Sequence, residues 1–301
     1  MLDYMLEQFS RLPVDSWLLR NGMKDYIDEQ LLWCEDSNFS SNFPFRETGL
    51  PQDFFLQKII SCDGNDYLTG PRYRGGDLKK PFIDLVASTA PLTRRAMASI
   101  LDLWHPMGAR SVRVLRPVSE DTRGRADQFF YVGGSMDEKK EAVISGYTTV
   151  RIERASQESA EWCLQALELA YAGTYSRYPF LKDKVFPADE EDIRDAIKDG
   201  NLFIIVYEGA RAGFIICDNA RRAFISGLWI TEEIVIPRFR GKHVAGSAQQ
   251  ALLSFLSPPR TPASLWGTIE SSNLPSIRAA EHAGRKRVME YAFLYGEDVH
   301  D

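Results

Sequence analysis

Apolar residues return along this chain at two periods, and the switches between them outline its elements. Leu2, Met5, Leu6 and Phe9, then Trp17, Leu18, Ile27, Leu31 and Leu32, recur at helical spacing, which predicts mostly helix over residues 1–40. Residues 36–51, rich in Ser, Asn and Pro, read as a loop, and 53–60 as a short helix. Strands are expected over 66–70 and 81–87, and a helix over 92–107 with Met97, Ile100, Leu101 and Trp104 on one face. Strands follow at 111–115 and 129–132. The glycines of Tyr73-Arg74-Gly75-Gly76 read as a turn.

A charged stretch, 137–141, reads as an exposed connector. Residues 147–152 alternate like a strand, and 156–172 form a helix with Trp162, Leu164, Ala166, Leu167, Leu169 and Ala170 apolar. Tyr171, Tyr175, Tyr178 and Phe180 then crowd a segment interrupted by Gly173 and Pro179. A short acidic helix is expected at 189–199, and a hairpin from 202–207 and 212–217 around residues 208–211. Residues 223–236 read as one long strand, or two separated by an irregularity near Gly227. A stiff Pro-rich loop at 258–262 precedes a strand at 264–269. Ser272 or Asn273 then caps a helix with Pro275 in its first turn and Gly284 past its end, and 287–295 is a final strand or strand pair. Both halves run strand, helix, strand, which suggests a duplication.

The whole chain turns on residues 229–256. Ile234-Val235-Ile236 is a β-branched run stopped by Pro237, which has no N–H for a ladder. A polar turn, 238–242, contains Gly241, and an amphipathic helix follows on Val244, Ala248, Ala251, Leu252 and Phe255. Such a turn leaves free N–H groups at a helix head with partial positive charge, a setting for phosphate, and Arg238, Arg240 and Lys242 add charge there.

Composition narrows the classes. The chain has 301 residues, 44% of them hydrophobic, enough for one or two domains with a core. Its net charge of −6 and pI near 5.4 argue against a nucleic-acid binder. Four scattered cysteines, Cys34, Cys62, Cys163 and Cys217, show no metal-ligand spacing and read as reduced thiols of a cytoplasmic protein. The acidic N-terminus lacks a signal pattern, and no apolar run reaches membrane-spanning length, so no membrane partner is expected.

Arg240-Gly241-Lys242-His243-Val244-Ala245 resembles the acyl-CoA signature of the GNAT N-acetyltransferase superfamily, [Arg/Gln]-x-x-Gly-x-[Gly/Ala], with His243 in the place usually held by glycine. Asn273-Leu274-Pro275-Ser276 and its Gly-closed helix resemble the family's second signature. The resemblance implies an α/β (α+β) fold: a mixed, mostly antiparallel central sheet flanked by helices, in two tandem domains. Residues 1–144 would be a degenerate or accessory domain helping to wall the substrate cleft; 86–97 hold no cofactor signature. Residues 145–301 would be the catalytic domain. Acetyl-CoA, or another acyl-CoA, would be held by Ile234, Val235, Ile236, Arg240, Gly241, Lys242, His243, Val244, Ala245, Asn273 and Ser276.

Amide formation from a thioester and an amine needs a base for the amine proton. Glu232 and Glu233 precede the cradle and point to opposite faces of their strand, so at most one is expected to face the cleft. Ala280 stands where family members often carry a tyrosine acid; Tyr291, Tyr295 or Ser276 are the substitutes, with His243 and His282 as further candidates. Tyr175 and Tyr178 are expected on the substrate side. The leading reading is direct N-acetyl transfer to a small-molecule primary amine, with a homodimer as the candidate assembly. The second is a catalytically weak or silent acyl-CoA-binding or interaction module. A third takes a longer acyl group or an aminoacyl donor.

Overall fold

In the computed structural model, which describes residues 1–118, 123–134, 149–256 and 264–299, the first helical periodicity becomes α1 (Leu2–Gln8) and α2 (Ser16–Leu32). Asp15 caps α2 by accepting from the N–H groups of Trp17 and Leu18. The expected loop at 36–51 instead holds two short helices, α3 (Ser37–Ser41) and α4 (Phe45–Thr48). Asp36, read as loop polarity, is the cap of α3.

The expected helix at 53–60 is a correction as well. Only a 3-10 turn, Gln52–Phe55, forms before the strand β1 (Lys58–Cys62) begins. Its partner β2 (Asn65–Tyr73) is joined through Asp63-Gly64, both at positive φ (50° and 76°), with Cys62 opposite Asn65. Asp-Gly in a two-residue hairpin is the local signal that outweighs helical spacing here. Then come β3 (Pro81–Ser88), α5 (Arg94–Leu103) and β4 (Val112–Pro117). β2 pairs with β3 antiparallel, and β3 with β4 in parallel across α5. Met97, Ile100 and Trp104 of this region are buried on that sheet. At the head of α5 the Thr93 hydroxyl accepts from Ala96 N–H, so this helix start is closed by its own side chain.

The remaining elements are β5 (Arg125–Gly134), β6 (Val150–Arg154), α6 (Ala160–Arg177), α7 (Glu190–Lys198), β7 (Leu202–Tyr207), β8 (Ala210–Arg222), β9 (Ile225–Val235), α8 (Val244–Leu256), β10 (Ser264–Glu270), α9 (Leu274–His282) and β11 (Lys286–Leu294). β6–β7 and β7–β8 pair antiparallel, while β9 and β10 pair in parallel across α8. The core of this region is the apolar β7, flanked by Phe214 and Ile215 of β8, Cys163 and Leu167 of α6, and Ala248 and Leu252 of α8. The mixed, mostly antiparallel sheet flanked by helices is the expected fold class.

The helix expected to stop at 172 runs on to Arg177, through Gly173. That glycine is there for space rather than for a turn: a Cβ on it would stand 2.9 Å from Pro237 Cγ. Gly227 likewise marks a close approach, its missing Cβ lying 2.9 Å from Trp266 Cδ1. The connector 137–141, the loop 258–262 and the first residues of the strand at 147–152 lie outside the described residues.

The chain divides into two units, Met1–Gln128 with Arg221–Ile225 and Val288–Asp301, and Phe129–Ala220 with Ser226–Arg287. The expected boundary at 144/145 falls outside the described residues. The last strand belongs to the first unit, where Met289–Leu294 pair antiparallel with Pro117–Val112 of β4. Most of β5 belongs to the second. No helix among the described residues is long and apolar enough to cross a membrane, and all four cysteines are free.

Cutting at 144/145 therefore separates each unit from one of its strands. The fragment 145–301 is expected to lack the cooperative thermal unfolding that the full chain shows by circular dichroism; a melt matching the full chain's would contradict this division.

Candidate active site

β9 and β10 are in register from Leu228↔Leu265 to Ile230↔Gly267, and both strands continue beyond that register, to Val235 and Glu270. A cleft of about 410 Å³ opens at their carboxyl ends, within the few-hundred-Å³ range of small-molecule sites. Glu233, Ile234 and Val235 line it from β9, Arg240, Gly241 and His243 to Gly246 from the loop and helix head, and one side of α9 from Asn273 and Ser276 to His282. Its described lining residues all belong to the second unit.

The loop is built by two left-handed residues, Gly241 (φ 76°) and His243 (φ 60°). Histidine tolerates that conformation better than most side chains, which lets it stand where glycine is usual. The first helical bond of α8 runs from Ser247 N–H to His243 O at 3.1 Å. The amides of Val244, Ala245 and Gly246 have no acceptor within the helix, and all three residues line the cleft. Gly246 also admits α9: a Cβ there would lie 2.6 Å from His282 Cδ2. The His243 and His282 rings meet with centroids 4.3 Å apart. Burial, and then His243, lowers the pKa of His282.

The two glutamates separate as alternation requires. Glu232 turns to α6, where its Oε2 accepts from the Tyr171 hydroxyl (2.9 Å) and Ala188 N–H (3.2 Å) and its Oε1 from Glu233 N–H (2.9 Å). Three donors hold this buried carboxyl, whose pKa burial raises against their pull; it fixes the segment after α6 and does not line the cleft. Glu233 does. Its Oε2 accepts from Gln249 Nε2 at 2.7 Å, and its buried Oε1 has no partner among the described residues. The residue as a whole is half-buried at the cleft wall, but its Oε1 is shielded. Burial pushes the Glu233 carboxyl up to about 7, against the pull of Gln249 and Arg285.

Arg240 lines the cleft, yet its guanidinium is committed elsewhere. Nε donates to Val235 O (2.8 Å), and Nη2 donates to Ala170 O (2.7 Å) and Thr174 Oγ1 (3.1 Å). It ties α6 to the end of β9, so its part is to hold the loop. Lys242 points to the rings of Tyr207 and Phe239, and neither it nor Ile236 lines the cleft. Asn273 caps α9 by accepting from Ser276 N–H, and both residues line the cleft. Tyr178 lines it; Tyr175 does not, its hydroxyl donating to Val185 O at 2.6 Å.

Tyr291 is a correction. It sits on β11 in the first unit, where Arg113 stacks 4.2 Å from its ring centroid, and it is absent from the cleft lining. Ala280 is fully buried and offers no acid. Tyr171, from the aromatic segment, lines the cleft, and Arg177 and Arg278 line it unforeseen; no group of three or more His, Cys, Asp or Glu able to hold a metal ion occurs among the described residues.

No protein-family model matches the chain, and neither does any curated protein. Solved structures similar to it include a GCN5-related N-acetyltransferase from Sphaerobacter thermophilus, at 14% identity over 90% of this chain and 92% of that one, TM-score 0.48. A GNAT-family acetyltransferase from Colwellia psychrerythraea matches at 14% identity over 75% and 85%, TM-score 0.44. A tandem GNAT protein from the clavulanic acid biosynthesis pathway matches at 14% over 78% and 80%, TM-score 0.39. At these levels the likenesses carry no functional weight, and the chemistry is read from the cleft.

The raised pKa of Glu233 has a stability signature. The unfolded chain releases this proton near pH 4.3, about the reference value, whereas the folded chain holds it to about 7. Stability contributed by the protonated form is therefore lost as pH rises through that window and is level above it. Glu233→Gln removes the titration. Urea unfolding should show the variant more stable than the parent by on the order of 2 kcal/mol at pH 8 and little changed at pH 4. An identical pH profile in both proteins would place the Glu233 titration elsewhere.

Proposed function

We propose that this chain is an acyl-CoA-dependent N-acyltransferase, acetyl-CoA being the expected donor, which transfers the acyl group directly to a small amine. The observation that carries this is the pairing, in one cleft, of uncapped amides at the head of α8 with a carboxyl poised near neutral pH.

The residues present suit such a donor. The amides of Val244, Ala245 and Gly246 and the positive end of α8 would receive a diphosphate. Val235 and Ile234, past the parallel register, offer a strand edge for the amides of a pantetheine arm. When bound, acyl-CoA supplies an activated thioester. Glu233, with its pKa near 7, would take the proton from the attacking amine nitrogen through one bridging water or after its shielded Oε1 turns into the cleft. On such a donor, attack by the amine nitrogen would exchange the C–S bond for a C–N bond, the sulfur leaving as the thiolate of a thiol of pKa about 8.5 with no dedicated acid and taking its proton from solvent. Tyr178 and Tyr171 on the α6 side would border the acceptor.

Isothermal titration with acetyl-CoA followed by a thiol-release assay over an amine panel tests this reading. Binding with thiol release is expected; binding without release under any acceptor would favour a silent acyl-CoA-binding module, and no binding would remove both. Gly241→Asp is expected to abolish binding while Gly241→Asn, equally tolerant of the left-handed backbone, retains most of it. Equal affinities in the two variants would show that charge beside the helix head is irrelevant. Glu233→Gln should lower turnover by about 10²–10⁴-fold with the acetyl-CoA dissociation constant unchanged, and the acid limb of the pH profile should fall near 7 in the parent.

A further inference from the structure

A buried arginine stands behind Glu233. Arg285 is 5% exposed and lies just past α9, before β11. Two glycines make its channel: a Cβ on Gly267 of β10 would stand 2.5 Å from its Nη2, and one on Gly133 of β5 would stand 2.8 Å from its Cγ. Inside, Nη2 donates to Tyr131 O at 3.1 Å and Nη1 donates to Gln249 Oε1 at 3.2 Å. Gln249, 1% exposed on α8, donates from Nε2 to Glu233 Oε2 at 2.7 Å.

We propose that Arg285 and Gln249 form a positioning relay that sets the orientation and the proton affinity of Glu233, resting on the reading of Glu233 as the base. The chemistry of the donors fixes its direction. A guanidinium has N–H donors and no acceptor, so the Gln249 amide must turn its oxygen to Arg285 and its NH2 to Glu233. This holds Glu233 by Oε2 and leaves Oε1 as the oxygen able to take a proton.

The charge arithmetic agrees. Around Arg285, burial pushes the Cys217 thiol of β8 up to about 12 and, with Glu281 accepting from its hydroxyl, Tyr131 of β5 up to about 12; both are neutral at pH 7. Burial lowers Arg285 itself to about 10, so it stays charged. Glu233 is then its one facing carboxylate named among these neighbours. Glu232, adjacent on β9, acts the other way on Glu233, while His243, His282 and Arg278 share its cleft. Without Arg285, burial and Glu232 would hold the proton on Glu233 and silence the base at neutral pH. Two glycines and a buried cation, otherwise costly features, are accounted for by that balance.

The test titrates the carboxyl carbon of Glu233 by 13C NMR in the full chain without any donor, in parallel with kcat/KM against pH. In Arg285→Met and in Gln249→Leu the Glu233 midpoint should rise by about one pH unit or more, with the acid limb of kcat/KM moving by the same amount. Arg285→Lys, which keeps the charge, should hold the midpoint near the parent's. Should Arg285→Met fail to fold by near-UV circular dichroism, Gln249→Leu and Arg285→Lys decide. An unchanged Glu233 midpoint in the folded Gln249→Leu protein overturns the relay. A failure of acetyl-CoA to bind leaves this titration readable, so the two ideas fail separately.

Discussion

The amides that open α8 cannot bond within their own helix, and nothing in the loop before them caps them as Thr93 caps α5. That single difference separates the two strand–helix–strand passages of the chain. In the first, a hydroxyl at the helix start satisfies Ala96 N–H and closes the site locally. In the second, the left-handed Gly241 and His243 carry the chain into α8 without offering a side-chain acceptor to its first turn. The cleft exists because β9 and β10 stop pairing as they approach this head, and Arg240 holds the loop open by bonding to Val235 O and to α6.

Within that frame two adjacent carboxyls have unequal environments. Glu232 is as buried as a core residue but is satisfied by three donors, and it anchors the segment that follows α6. Burial raises Glu233 to about 7, since it receives one donor to offset that burial and keeps a bare oxygen. The same strand thus places one carboxyl in the fold's interior network and one at the cleft, sorted by which face each occupies and by how many donors reach it.

Much of the second unit was legible from local pattern. The β-branched run ending at Pro237, the Gly241 turn and the α8 periodicity all act over a few residues, so spacing alone reveals them. Asn273 as a helix cap was legible for the same reason. The hairpin at Asp63-Gly64 was equally local but was hidden under a helical spacing of apolar residues. Gly173 misled because a glycine that makes room for Pro237 looks, in sequence, like one that makes a turn.

The sequence by itself determined most of the elements, the Gly241 turn before α8 and the fact that only one of Glu232 and Glu233 could face a cleft, because these follow from backbone geometry over neighbouring residues. Tertiary structure alone decided which glutamate that is, since the donors from Tyr171, Ala188 and Gln249 arrive from elsewhere in the chain. It also took Arg240 out of direct charge pairing, moved Tyr291 to another unit, and buried Arg285 behind Glu233. Each of these turns on partners distant in sequence, and a side chain's proton affinity is set by what surrounds it in space.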